Sequence, residues 1–129
     1  AKWIRPLLVV QAPTRLPTEQ QQADYAHYLE VSLLAALAEA HEQLQARETA
    51  KEPIVGWDKI GVIVVGDGDI DNARLQEACR FVAACEEGRR LARDIGGSDP
   101  ERMTALRVAE TVEAFFANHP SVRVSVCRD

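Results

Sequence analysis

Hydrophobic and polar positions change period several times along the chain. Leu7-Leu8-Val9-Val10 is a short β-favouring run bounded by Pro6 and Pro13, which predicts a buried strand. Thr18, with Gln21 three residues on, has the spacing of a capping box and opens a helix. Leu29, Leu33, Leu37, Ala40 and Leu44 then recur at steps of three and four, which gives that helix one apolar face. Glu30, Glu39, Glu42 and Arg47 fall to the wet side. The pattern decays over residues 48–52, and Pro53 ends it.

Residues 59–66 read Lys-Ile-Gly-Val-Ile-Val-Val-Gly, an unbroken β-branched run of the kind expected in a strand covered on both faces. A turn over 66–69 follows, and Asp71 can cap a helix over about 72–95. Leu75, Ala78, Cys79, Val82, Cys85, Gly88, Leu91, Ala92 and Ile95 form an arc wider than a surface helix needs, so this helix is expected to pack on two sides. Gly88 costs ~1 kcal/mol relative to Ala in a helix interior, and close approach by another backbone would offset it. Gly96-Gly97 stops the helix. Ser98, Pro100 and Glu101 have the order of a new helix start. Met103, Leu106, Ala109, Val112 and Phe116 make its apolar stripe, and Asn118-His119-Pro120 ends it. Val122, Val124 and Val126 alternate with Arg123 and Ser125, predicting a half-buried strand. The order β-α-β-α-α-β predicts an α/β fold with a small, mostly parallel or mixed sheet flanked by helices. No internal repeat or low-complexity segment interrupts it. The seam at 96–99 fits either a plain helix–helix loop or a domain boundary.

At 129 residues and 47% apolar, one globular unit can bury a core without disulfide or metal support. A net charge of −5 argues against nucleic acid or an anionic membrane as main partner. Arg89, Arg90 and Arg93 do not reverse this, since Glu86, Glu87 and Asp94 interleave with them. Three cysteines, Cys79, Cys85 and Cys127, fit no zinc or redox spacing and suit a reducing, cytoplasmic setting. No apolar run approaches the ~20 residues of a membrane span, and residues 1–6 are too short and polar for a signal peptide.

Asp67, Asp69 and Asp71 alternate like the start of a calcium loop, but Asn72 and Ala78 stand where that loop needs Gly and a bidentate Glu. Gly66-x-Gly68-x-x-Asp71 lacks the third glycine of a dinucleotide fingerprint, and its carboxylates would repel a pyrophosphate. His27, His41 and His119 share no helical zinc spacing. Cys79 and Cys85 read as inert thiols on an apolar arc. Ser98 lacks a nucleophile elbow. The residues thus nominate no catalytic, cofactor-binding or metal-binding side chain.

Glu87-Gly88-Arg89-Arg90-Leu91-Ala92-Arg93-Asp94-Ile95, followed after a short linker by Met103-Thr104, resembles the leucyl aminopeptidases (cytosol aminopeptidases). Their pattern is Glu-Gly-x-x-Leu-Ala-Arg-Asp-Leu, a Thr-Pro-Ala-Asn-like turn, then Met-Thr-Pro and a helix. The likeness spans about residues 57–129. Residues 1–56 match only as a strand and helix of a macro-like N-terminal domain. The turn departs at Ser98-Asp99-Pro100-Glu101, and Ala105 replaces the proline. This resemblance implies part of a macro-like N-terminal domain over 1–70, a linker helix over 71–97 and the start of a catalytic domain over 98–129. It also implies a parent peptidase that is a cytoplasmic hexamer using a two-metal site of zinc or manganese to hydrolyse N-terminal residues from peptides. The family's metal-binding lysine, aspartates and Asn-Thr-Asp-Ala-Glu-Gly-Arg motif are not in this sequence. The chain is therefore expected to be an inactive piece with scaffold and oligomerisation roles. The alternative is a stand-alone, non-catalytic α/β binding or assembly domain, and a third reading is a small nucleotide-binding domain using the 66–71 turn.

Overall fold

The computed structural model describes residues 3–13, 18–51, 56–57, 59–66 and 71–127. Two strands near the N-terminus, β1 (Trp3–Ile4) and β2 (Leu7–Gln11), are followed by three helices, α1 (Glu19–Asp24), α2 (Tyr28–Glu39) and α3 (Leu44–Thr49). Strands β3 (Gly56–Trp57) and β4 (Gly61–Val65) come next, then α4 (Asn72–Gly96) and α5 (Ala105–Phe116).

Strand β1 pairs with β3, and β2 with β4, both in parallel. The two ladders follow each other along the same two stretches of chain. Pro6 interrupts the first stretch because it has no N–H to donate, while its carbonyl accepts from Gly61 N at 2.9 Å. Beyond Gln11 the pairing runs on through Ala12 N to Val65 O at 2.7 Å. Gly66 follows with φ 148, and a Cβ there would lie 2.8 Å from Ala12 Cβ. Both backbone conformation and space demand glycine at this exit from β4.

The core lies on one side of the β2–β4 pair. Val10, Leu29, Leu33, Ala78 and Val82 are buried together, with Leu8, Val62, Val64, Leu37, Leu75 and Cys79 packed around them. Strand residues 8, 10, 62 and 64 thus meet α2 and α4 on a single face, as period-two alternation requires. Leu29 is only 1% exposed, and burying a leucine contributes roughly 1.5–3 kcal/mol.

Several expectations are corrected. The β-branched run of β4 is covered on one face only: Ile63 and Val65 are 45% and 43% exposed, beside Leu7 and Val9 at 59% and 56%. Both helices that pack on the sheet, α2 and α4, share one side. The single helix expected from Thr18 onward is three. Thr18 caps α1 by accepting from Gln21 N at 3.2 Å, but Glu19–Asp24 has Ala23 as its one apolar residue and so no apolar face to dock. The chain turns at Tyr25–His27 before the leucine stripe begins, and again after Ala40. Glu30 is not on the wet side but is buried at 7%.

Helix α4 matches its expected extent, with Asp71 Oδ1 accepting from Arg74 N at 2.6 Å. Gly88 meets no backbone: a Cβ there would have nothing within 4 Å. Helix α4 packs on both α2 and the β2–β4 strands through Ala78 and Val82, while Phe81 stays 56% exposed. At the seam Ser98 does not cap the next helix. Its hydroxyl donates back to Asp94 O at 2.5 Å, and Thr104 caps α5 by accepting from Arg107 N at 3.4 Å. Helix α5 buries none of its residues, and Leu106 on its expected stripe is 56% exposed. Residues 121–127 form no strand; Val124 and Val126 are half-buried, but no described strand lies beside them to complete a ladder.

Candidate functional site

Two polar clusters sit at opposite ends of the α2–α4 layer. Strands β2 and β4 run toward Gln11 and Val65, and α4 starts just beyond the latter. Its first turn carries Arg74, whose Nη2 donates to Glu30 Oε1 in the first turn of α2. Both helix N-termini therefore lie at the carboxyl ends of the strands, where open α/β sheets place their ligands. His27 Nδ1 is 3.9 Å from Glu30 Oε1. Glu30 Oε2 and the Tyr28 hydroxyl are buried without a protein hydrogen-bond partner among the described residues.

The electrostatics follow from this packing. Burial pushes the Glu30 carboxyl up, but the hydrogen bond and positive charge of Arg74 outweigh it and hold the group below its ordinary value. Burial raises the Tyr28 hydroxyl; Arg74 opposes and Glu30 adds to the shift. The Glu30 hydrogen bond in turn raises Arg74. A carboxylate in the first turn of α2 also faces the positive end of that helix.

At the other end, Asp94 accepts from Arg47 Nη2 at 2.5 Å and lies 3.7 Å from His41 Nε2. Burial lowers the His41 imidazole, and Arg93, Arg47 and Arg90 lower it further against the pull of Asp94. Next to this cluster is a hollow of about 140 Å³ between α3 and the α4–α5 turn, lined by Leu44, Gln45, Glu48, Asp99, Arg102 and Met103 among others. Arg102 Nη2 donates to Glu48 Oε2 across it at 2.6 Å.

The candidates weighed from sequence scatter. Asp67, Gly68 and Asp69 lie outside the described residues, and Asp71 is a helix cap. His27, His41 and His119 stand in separate settings, the last stacked on Phe115 and 3.7 Å from Glu87. Cys79 packs against the core, Cys85 is half-buried and Cys127 exposed; all three are free thiols. In the basic run on α4, Arg93 and Arg89 both pair with Glu86. Arg89 also donates to Leu34 O at 3.3 Å, tying α4 to α2. Among the described residues no group of three His, Cys, Asp or Glu could hold a metal ion, and no helix is long and apolar enough to cross a membrane. The two clusters are held by ion pairs, Glu30 with Arg74 and Asp94 with Arg47.

Sequence reasoning missed Glu30 and His41 as cluster residues, although a signal was there. Glu30 lies three before Leu33, and His41 four after Leu37. Both therefore continue the apolar stripe instead of opposing it.

Comparison with known proteins gives one informative likeness. The chain is 30% identical over 124 residues to the Caenorhabditis elegans protein named Putative aminopeptidase W07G4.4, covering 96% of this chain but 21% of that protein. It thus spans about a fifth of the length of the curated relative it matches. No family model matches the chain, and no solved structure does. The chain is therefore similar to part of a protein named as a putative aminopeptidase, and it has a small parallel-stranded α/β fold.

Proposed function

We propose that the chain is the N-terminal and linker region of a metal-dependent leucyl aminopeptidase, with scaffold and oligomerisation roles and no catalysis of its own. The observation that carries this reading is the colinear 30% identity over 96% of the chain to a protein named as an aminopeptidase. The Glu87–Ile95 segment and Met103-Thr104 support the narrower leucyl family, and with it a cytoplasmic hexamer. In this reading residues 1–70 belong to the N-terminal domain, 71–97 to the linker helix and 98–129 to the start of the catalytic domain.

The zinc or manganese pair of such an enzyme would activate a water for attack on the peptide carbonyl. The described residues of this chain do not fit a site for it, so no step of the reaction is assigned to them. The open face of Leu7, Val9, Ile63 and Val65 supports the scaffold role, since contiguous exposed apolar patches commonly mark contact surfaces. That face equally suits a stand-alone assembly domain, the second reading.

Leucyl p-nitroanilide hydrolysis separates the two. The 129-residue chain with added Zn²⁺ or Mn²⁺ is expected to be inactive, and the gene's full product active. Turnover by the chain alone refutes the assigned role. An inactive full product without the Asn-Thr-Asp-Ala-Glu-Gly-Arg motif leaves the assembly domain.

A further inference from the structure

Arg47 and Glu48 are neighbours on α3, and they reach opposite sides of the Gly96–Gly97 break. Arg47 pairs with Asp94, before the break, at 2.5 Å. Glu48 pairs with Arg102, after it, at 2.6 Å. We propose that α3 is an electrostatic strap that sets the angle at which the chain beyond Gly97 leaves α4. The proposal stands independently of the aminopeptidase reading.

Apolar packing does not do this job. Neither α3 nor α5 has a buried residue, and the space between α3 and the turn is an open hollow of mixed polar and apolar lining rather than a packed core. Across the turn itself the bonds are local: Gly97 N to Arg93 O, Met103 N to Asp99 O, and Glu101 N to Asp99 Oδ1. They shape the turn without anchoring it to the α2–α4 layer. A further contact from beyond the seam, His119 Nε2 to Glu87 Oε1, is longer at 3.7 Å and sits past the far end of α5. The strap has unequal halves. The Asp94 side chain is 15% exposed and Arg47 27%, whereas Glu48 and Arg102 are 40% and 43% exposed. Salt should therefore release the Glu48–Arg102 half first, because exposed pairs are screened more than partly buried ones.

The test is a spin-label distance measurement on the full chain. Its labels are placed by R80C on α4 and E113C on α5, both exposed, in a C79A/C85A/C127S background. E48R is expected to broaden the distance distribution, raising the share of other orientations by roughly two- to fivefold, the scale of one exposed ion pair. The charge-swapped E48R/R102E chain should recover the narrow distribution, and 1 M NaCl should broaden the parent distribution as E48R does. Unchanged helical circular dichroism in E48R would separate release of the strap from unfolding. A distribution indifferent to E48R, or one that the swap fails to restore, overturns the proposal.

Discussion

Glu30 shows how one side chain can defy its composition. An acid on a leucine stripe is tolerated because Arg74 reaches it from the neighbouring helix. Removing the arginine alone leaves a carboxylate in desolvated surroundings, whereas removing both partners leaves no lone charge. R74L is therefore expected to lower the Tm more than E30L/R74L does; a double variant less stable than R74L would contradict this. The Glu30 group lies below its ordinary 4.5 in the folded chain. Its contribution is then present above about pH 4.5 and is lost as pH falls through the lower folded value. His41 works in the same pH direction by another route. Its folded value lies below the ordinary 6.5, so the unfolded chain takes up the proton first and stability declines as pH drops from about 6.5. H41Q should remove that part of the decline, visible as a smaller change in urea midpoint between pH 7.5 and 5.5. An equal change in both proteins would exclude His41 as its source. Gly88 points the other way. With nothing within 4 Å of an added Cβ, G88A should stabilise the isolated chain by about 0.5–1 kcal/mol in denaturant titrations.

At the scale of elements, α2 and α4 hold the fold. L29A is expected to cost about 2–5 kcal/mol, while V31A, at a site 64% exposed two residues on, should change stability by under about 0.5 kcal/mol. Equal losses at the two sites would place the core elsewhere. What was legible in the chain follows the same division. β2, β4 and α4 were readable because short β-branched runs and a capped, periodic helix carry their own signals. The breaks after Asp24 and Ala40 were not, because they come from where α2 must dock and where Arg47 must reach Asp94. The Val122–Val126 alternation predicts a strand, yet alternation supplies only side-chain placement. A ladder also needs a neighbouring backbone, and none is beside it among the described residues. The stripe marks where Glu30 and His41 face, but not their partners: Glu30–Arg74 and Arg47–Asp94 join residues 44 and 47 apart, and a pairing at that separation leaves no local pattern.

Seen whole, the described core is the β2–β4 pair with α2 and α4 packed on one face. Parallel strands are normally covered on both faces, and Leu7, Val9, Ile63 and Val65 leave one face open. I63K on that face should hold stability within about 0.5 kcal/mol while reducing self-association in sedimentation experiments. V62K, facing the helices, should unfold the chain. If I63K destabilises as strongly as V62K, the face is not open in solution.

The pairing of β2 with β4 alone has one more consequence. Each of these strands has a single described neighbour, so among the described residues the outer row of backbone amides and carbonyls of each has no ladder partner. Such a row is a template for another strand from any source. Growth by strand addition has no geometric stop in a two-stranded ribbon, unlike in a closed barrel. Blocking groups along the borders of β2 and β4, whether a proline, a lysine or a covering segment, would decide how far assembly proceeds.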